Sequence, residues 1–172
     1  MASRVIPVEP FDLVIFGGTG DLARRKIWPA LFRRFVAGQI EGDVRLIGAA
    51  RSEMDSAAFR DFVAEVIGEF GGVESGRTDD LSSFLKMLHY VTLDARGDQG
   101  WVELSGLIRR DRIRAFYFSV APSLFGDLAK RLHAHGMADD TSRIVVEKPF
   151  GRDLETSRDL NRVLALHFDE CQ

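Results

Sequence analysis

The chain has 172 residues with 45% hydrophobic and 28% charged side chains, which is typical of one compact globular domain rather than of a disordered or fibrous chain. Its 23 Lys and Arg residues against 26 Asp and Glu residues give a net charge of −3, which excludes a nucleic-acid binder that acts through net charge. No apolar run approaches the roughly 18 residues of a membrane span, no apolar leader follows Met1, and the single Cys171 excludes an internal disulfide, so we expect a cytoplasmic protein.

Apolar runs alternate with segments of helical periodicity along the chain. The first run, 13–16, predicts a buried strand, and apolar residues spaced by about 3.6 then predict a helix over 22–36 that kinks at Pro29 and stops at Gly38. Further strands are predicted at 44–49, 90–93, 113–120 and 144–146. Further helices are predicted at 59–70, 81–88, 101–108, 124–132 and 154–168.

Five strands separated by helical crossovers predict an α/β fold. The sheet is expected to be doubly wound, Rossmann-like and mainly parallel, with helices on both faces. Because the sequence contains no linker, repeat or low-complexity tract, residues 1–172 are interpreted as one domain.

A glycine-rich segment opens the first helix. Gly18-Thr19-Gly20-Asp21-Leu22-Ala23 fits the pattern G-x-G-x-x-G/A directly after the first strand. Glycines there allow a tight turn, and the free N–H groups of the helix N-terminus can bind a pyrophosphate. A purely structural strand-to-helix turn is the alternative, and the position within a complete βαβ unit favours a dinucleotide.

The end of the second strand indicates which dinucleotide is bound. NAD sites carry Asp or Glu there for the ribose 2′-OH, whereas this chain has Ala49-Ala50-Arg51-Ser52. The guanidinium of Arg51 can fork onto a 2′-phosphate, with Ser52 as a second donor or a helix cap. NADP is therefore predicted over NAD, although a solvated surface arginine is the alternative.

Two lysines are candidates for a second anionic ligand. Lys26 lies one helical turn past the glycine segment, and Glu147-Lys148-Pro149 follows the fifth strand at its carboxyl end, where open α/β sheets bind ligands. A solvated helix face for Lys26 and a surface ion pair for Lys148 are the alternatives.

Three segments together resemble the glucose-6-phosphate dehydrogenase family. They are Phe16 to Ala23 with Lys26 and Pro29, then Ala50-Arg51-Ser52, and Val145 to Gly151 followed by Arg152-Asp153-Leu154. Phe118-Ser119-Val120-Ala121-Pro122 matches a fourth segment, and the resemblance runs in order from about Phe11 to the last residue.

The resemblance implies a set of coenzyme and substrate residues. In the glycine segment they are Gly17, Gly18, Thr19, Gly20, Asp21 and Leu22, which together with Arg51 and Ser52 would hold NADP. Asp94 and Ala95 would contact the adenosine, and Ala121 and Pro122 the nicotinamide. Lys148 would contact both coenzyme and sugar phosphate, and Lys26 the sugar phosphate alone.

The family transfers a hydride from C1 of glucose 6-phosphate to NADP⁺, the first oxidative step of the pentose phosphate pathway. Its catalytic histidine and its large substrate and dimerisation domain follow the last helix predicted here, so we expect these 172 residues to bind NADP without catalysis. The four histidines here lack family-like surroundings and are interpreted as structural, and no catalytic or metal site is predicted. These histidines are His89, His133, His135 and His167.

Two other interpretations remain. The chain could be a stand-alone NADP-binding or sensor module that is naturally non-catalytic. A short-chain reductase is disfavoured because neither Tyr90 nor Tyr117 has a lysine four residues later. In the family interpretation, surfaces that normally contact the second domain would be bare, and self-association through them is expected.

Overall fold

The computed structural model describes residues 8–71, 78–147, 154–169 and 172. The strands are β1 Phe11–Phe16, β2 Arg45–Ala50, β3 Leu88–Thr92, β4 Ile113–Phe118 and β5 Ser142–Val146. The helices are α1 Trp28–Val36, α2 Ser56–Phe70, α3 Thr78–Lys86, α4 Trp101–Leu107, α5 Phe125–Ala134 and α6 Leu154–Ala165. None of the helices within these residues is long and apolar enough to cross a membrane.

The five strands form one parallel sheet in the order β3-β2-β1-β4-β5. Val14 of β1 pairs with Ile47 of β2 on one side and with Phe116 of β4 on the other. The order reverses direction at β1, so a crevice opens between β1 and β4 at the carboxyl edge, where doubly wound sheets bind their ligands. The predicted Rossmann-like α/β fold is confirmed.

Each face of the sheet packs on its own hydrophobic cluster. Trp101 of α4, Leu128 of α5 and Leu164 of α6 pack on the face that carries Phe116. Trp28 of α1, Phe59 of α2 and Phe84 of α3 pack on the opposite face against β1, β2 and β3. The two clusters hold the strands rigidly, so the carboxyl edge presents its loops from a fixed base.

The first helix begins irregularly, as the proline in its sequence predicts. A π-helical segment, Ala23–Ile27, precedes α1, and the N–H of Trp28 donates to the carbonyl of Ala23 five residues earlier. Pro29 has no N–H for the carbonyl of Arg25, and its ring crowds that carbonyl, so the α-helical ladder cannot continue through this turn. Gly38, at φ +69°, follows the end of the helix at Val36.

Several element boundaries differ by one to three residues from the sequence prediction, and two of these differences are explained by hydrogen bonds between elements. Leu88, predicted as the end of a helix, lies in β3 because α3 ends at Lys86 and the carbonyl of Met87 accepts the Leu46 N–H at 2.9 Å. The fourth strand ends at Phe118 rather than at residue 120. The Ser119 N–H still donates to the carbonyl of Phe16 at 2.9 Å, after which the chain turns into a short 3₁₀ segment.

Two ion pairs, each with one fully buried partner, lie where strands β1 and β4 begin. Asp12 is fully buried and accepts two hydrogen bonds from the Arg109 side chain and one from its backbone N–H. Arg114 is also fully buried, and its Nη2 donates to the carboxylate of Asp139 and to Thr141. These pairs tie the loops before β4 and β5 to the sheet at the edge opposite the crevice.

Candidate functional site

A cavity of about 540 Å³ opens at the carboxyl edge of the sheet. Its floor comes from the ends of β1 and β2, and its walls come from the loops that follow β3 and β4. The residues that line it are Phe16, Gly17, Thr19, Gly20, Ala49, Ala50, Arg51, Ser52, Leu93, Asp94, Ala95, Arg96, Val120, Ala121, Ser123, Leu124 and Leu128.

The glycine turn forms the base of the cavity and admits no side chain at its first two positions. Gly17 has φ +82°, and a Cβ there would lie 2.1 Å from the carbonyl oxygen of Ser119. A Cβ on Gly18 would lie 2.9 Å from the Cα of Gly48. Only glycine lets the backbone of this turn pass so close to β2 and to the loop after β4.

The turn presents backbone donors at the start of the first helix. The N–H of Gly20 donates to the carbonyl of Gly17 at 2.9 Å, and the first helical bond runs from the Arg24 N–H to the carbonyl of Gly20. The N–H groups between them precede that bond and have no helical acceptor. The indole N–H of Trp28 donates to the carbonyl of Gly18 at 2.8 Å and fixes the turn. Such an arrangement suits a phosphate group.

Arg51 and Ser52 stand at the rim beside this turn. Arg51 is exposed, and no ion pair or hydrogen bond to its side chain is found among the described residues. The hydroxyl of Ser52 lies 3.4 Å from the hydroxyl of Thr19, which joins the end of β2 to the glycine turn. Among the described residues, the one carboxylate in the cavity lining is that of Asp94, on the loop after β3, so Arg51, Ser52 and Thr19 form a cationic and hydroxyl-rich corner.

The loop after β3 forms the wall opposite the glycine turn. The carbonyl of Asp94 accepts the indole N–H of Trp101 at 2.9 Å, and its carboxylate accepts the Arg96 N–H at 3.0 Å. Arg96 also pairs with Asp127 of α5 at 3.3 Å. The loop is therefore held at both ends and keeps the wall in place.

The remaining wall follows β4. Val120, Ala121, Ser123 and Leu124 line the cavity, and the Leu124 N–H donates to the carbonyl of Ala121 at 2.9 Å. The 3₁₀ segment Pro122–Leu124 turns the chain sharply, because Pro122 occupies its first position. The short turn places small side chains next to the crevice between β1 and β4.

The structure brings together many of the residues selected from the sequence, and not all of them. Those that line the cavity are Gly17, Thr19, Gly20, Arg51, Ser52, Asp94, Ala95 and Ala121. Those that are described but do not line it are Gly18, Asp21, Leu22, Lys26 and Pro122. Gly18 supports the turn from below, and Asp21 accepts a hydrogen bond from Arg25 at 2.7 Å. Lys148 lies outside the described residues.

Sequence reasoning missed two polar residues of the cavity, Arg96 and Ser123. Arg96 directly follows the predicted pair Asp94-Ala95, and Ser123 directly follows Ala121-Pro122. Both residues could have been found from the sequence by extending each predicted loop segment by one residue beyond the end of its strand.

The histidines lie away from the cavity. None of His89, His133, His135 and His167 is among its lining residues. Burial, followed by the positive charges of Arg45 and Arg60, lowers the pKa of His89. The ring of His135 stacks on Trp101 at 5.7 Å between ring centroids. Within the described ranges, no three His, Cys, Asp or Glu side chains come together as a metal site.

Comparison with known proteins gives a consistent result. The family model described as "Glucose-6-phosphate dehydrogenase, NAD binding domain" matches residues 14–172. The glucose-6-phosphate 1-dehydrogenase of Rhizobium meliloti (strain 1021) is 42% identical over 176 residues, covering 100% of this chain and 35% of that protein.

Solved structures agree with the sequence comparison. The crystal structure of glucose-6-phosphate 1-dehydrogenase from Mycobacterium avium matches with a TM-score of 0.85 at 32% identity, over 94% of this chain and 34% of that chain. A glucose-6-phosphate dehydrogenase in complex with its substrate glucose 6-phosphate matches with a TM-score of 0.79 at 30% identity, over 99% and 36% of the two chains. The chain thus spans about a third of the length of these relatives.

Proposed function

The chain belongs to the glucose-6-phosphate dehydrogenase family, as its NAD-binding domain, and we propose that it binds NADP in the cavity at the carboxyl edge of its sheet. The observation that carries this proposal is the joint lining of one cavity by the glycine turn and by Arg51 and Ser52. The turn supplies backbone donors for the pyrophosphate, and the cationic corner supplies partners for the 2′-phosphate.

The preference for NADP over NAD follows from charge. A 2′-phosphate brings a double negative charge next to Arg51, whose guanidinium has no competing ion pair among the described residues. The hydroxyls of Ser52 and Thr19 provide two further donors on the same side. A carboxylate in place of Arg51 would favour the ribose hydroxyl of NAD instead.

The remaining coenzyme contacts are proposed from the resemblance to the family, and Asp94, Ala95 and Ala121 among them also line the cavity. Asp94 and Ala95 flank the adenosine, and Ala121 with Pro122 flanks the nicotinamide. Gly17, Gly18 and Gly20 shape the turn, and Asp21 and Leu22 contribute N–H groups from the first helical turn. Lys148, which lies outside the described residues, is proposed as a coenzyme contact from the resemblance alone.

Calorimetric titration of the chain with NADP⁺ and with NAD⁺ tests the proposal. The wild-type chain is expected to bind NADP⁺ more tightly, and Arg51→Ala is expected to weaken NADP⁺ binding about 10-fold or more, since it removes a charge-assisted bidentate contact. NAD⁺ binding should change less than about twofold. Arg33→Ala, on the exposed side of α1, serves as the matched control. An equal loss for both coenzymes would contradict the assignment of Arg51.

We further propose that the longer protein of this family oxidises glucose 6-phosphate. Bound NADP⁺ would accept the hydride from C1 of the sugar. In this chain, Lys26 and Lys148 would neutralise the sugar phosphate as point charges. Lys26 is exposed one turn beyond the glycine turn, which leaves its amine free to reach a ligand outside the cavity.

The 172 residues alone are proposed to bind coenzyme without turnover. None of the four histidines lines the coenzyme cavity, so none lies beside the proposed position of the coenzyme. Substrate-dependent NADPH formation, followed by its absorbance, should stay at background. Clear turnover by the purified chain would contradict this proposal, and binding without turnover also fits a stand-alone coenzyme sensor.

A second copy of the chain is proposed as a further partner. The exposed apolar side chains of Ile113 on β4 and Val145 on β5 provide the contact surface.

A further inference from the structure

The segment that carries Arg51 and Ser52 is held in place by a side chain that lines no part of the cavity. The hydroxyl of Tyr90, on β3, donates to the carbonyl of Ser52 at 2.7 Å and also lies 3.2 Å from the carbonyl of Ala50. The hydroxyl of Thr92, two residues along the same strand, donates to the same carbonyl at 3.3 Å. Because residues two apart on a strand share a face, both hydroxyls approach Ser52 from one side.

The peptide groups on either side of Arg51 and Ser52 are therefore both fixed. The carbonyl of Ala50 accepts the Leu93 N–H at 2.8 Å, as part of the strand ladder. The carbonyl of Ser52 accepts from Tyr90 and Thr92 alone, with no backbone donor in the part of the chain that the structure describes. The side chains of Tyr90 and Thr92 thus hold the Ser52 carbonyl as the strand ladder holds the Ala50 carbonyl two peptides earlier.

The position of Tyr90 is itself imposed by packing. Gly48 on β2 leaves room for the ring of Phe59, which would lie 2.4 Å from a Cβ at that position. The Phe59 ring contacts the Tyr90 ring at 4.8 Å between centroids, and Tyr90 is 3% exposed. Burial raises the pKa of Tyr90 to about 12, so its hydroxyl stays protonated and remains a donor at neutral pH.

We propose that Tyr90 is a positioning residue for coenzyme discrimination, acting through the Ser52 carbonyl to hold Arg51 and Ser52 against the 2′-phosphate. This inference rests on the proposed NADP function. With the Ser52 carbonyl held, the Ser52 hydroxyl faces Thr19 and the Arg51 side chain stays at the cavity rim. Without that hold, the segment between Ala50 and the cap of α2 at Asp55 gains freedom, and ordering it on binding costs affinity.

Tyr90→Phe tests the inference because it keeps the ring and removes only the hydroxyl. The dissociation constant for NADP⁺ is expected to rise about fivefold, the effect of one neutral hydrogen bond, while that for NAD⁺ changes less than about twofold. Thr92→Val, which removes the longer contact, is expected to give a smaller change in the same direction. Tyr117→Phe, at the other tyrosine of the chain, serves as the matched control and should leave the ratio unchanged.

A second readout reports the contact without coenzyme. The carbonyl ¹³C chemical shift of Ser52 should move in Tyr90→Phe because this carbonyl loses its donor at 2.7 Å, while the Leu93 amide, bonded to the Ala50 carbonyl, keeps its protection from hydrogen exchange.

The outcomes separate the two proposals. A reduced NADP⁺ preference in Tyr90→Phe, with a shifted Ser52 carbonyl resonance, supports the inference. An unchanged ratio of the two dissociation constants, or an equal loss for both coenzymes, overturns it while the proposed NADP function stands. A wild-type chain with no preference for NADP⁺ rejects the proposed function and this inference together.

Discussion

Gly17 shows how one residue decides whether the site can form. Its φ of +82° is costly for any residue with a side chain, and the chain passes so close to Ser119 that no Cβ fits. Both constraints come from the need to bring backbone N–H groups up to a ligand at the end of β1.

Gly17→Ala is expected to lower the free energy of unfolding by about 2–3 kcal/mol, because strain at positive φ adds to the clash with the Ser119 carbonyl. Urea denaturation measures the change. Gly68→Ala, in the last turn of α2 with no atom within 4 Å of the new Cβ, is the control and should gain up to about 1 kcal/mol. A Gly17→Ala chain as stable as wild type would show that the turn can relax.

Some site residues could be predicted from the sequence because their types report a local need. Glycines after a buried strand indicate close backbone approach, and an arginine where an acid is usual indicates a phosphate. Tyr90 could not be found in this way, since a tyrosine within an apolar strand is most often a core residue. Its link to Ser52 depends on the pairing of β2 with β3, which only the folded sheet provides.

At the level of elements, strand and helix identities followed from periodicity, whereas their ends depended on tertiary contacts. The first residues of β3 are strand because β2 offers them hydrogen-bond partners, as at Leu46 and Met87. The π-helical start of the first helix combines a local cause, Pro29, with a tertiary one, the bond from Trp28 to Gly18. Only the local cause was visible in the sequence.

The loop before β5 depends on one buried arginine. Arg114 is fully buried, and its partner Asp139 is about half exposed. Burial raises the pKa of Asp139, but hydrogen bonds from Arg114 and Thr141 outweigh it and hold the pKa below the ordinary value of 3.8. A carboxyl whose pKa is lowered by folding stabilises the folded state above its unfolded pKa, and this stabilisation is lost as the pH falls through the folded value.

Asp139→Asn is therefore expected to lower the free energy of unfolding by about 2 kcal/mol at pH 7, less than for a fully buried pair because water screens Asp139. The difference from wild type should begin to shrink below about pH 4, where the unfolded-state carboxyl becomes protonated, and should shrink further as the pH falls through the lower pKa of the folded state. Urea denaturation between pH 7 and about pH 2.5 measures it. Asp140→Asn, next along the chain, should have little effect at either pH, and a difference independent of pH would contradict the role of charge.

At the level of the whole molecule, the two faces of the sheet are covered unequally. Helices α4, α5 and α6 pack along the face that carries Phe116, whereas the π-helical segment and α1, α2 and α3 pack on the other face mainly over β1, β2 and β3. On that second face, Ile113 of β4 is 43% exposed and Val145 of β5 is 39% exposed. No described helix covers these two side chains, which lie four residues apart along the β4–β5 ladder with Ala115 and Tyr117 between them, so apolar side chains are exposed along this edge of the sheet.

We expect this surface, the exposed side of β4 and β5, to drive self-association of the chain. Burying two β-branched side chains in a dimer removes apolar area from water and favours association by about 10-fold or more in the dissociation constant. Sedimentation velocity over a concentration series should show a dimer in the wild-type chain and weaker association in the double variant Ile113→Thr, Val145→Thr. Val102→Thr, at a 78% exposed position on α4, is the control and should associate like wild type. A wild-type chain that sediments as a monomer at every concentration would contradict the expected self-association.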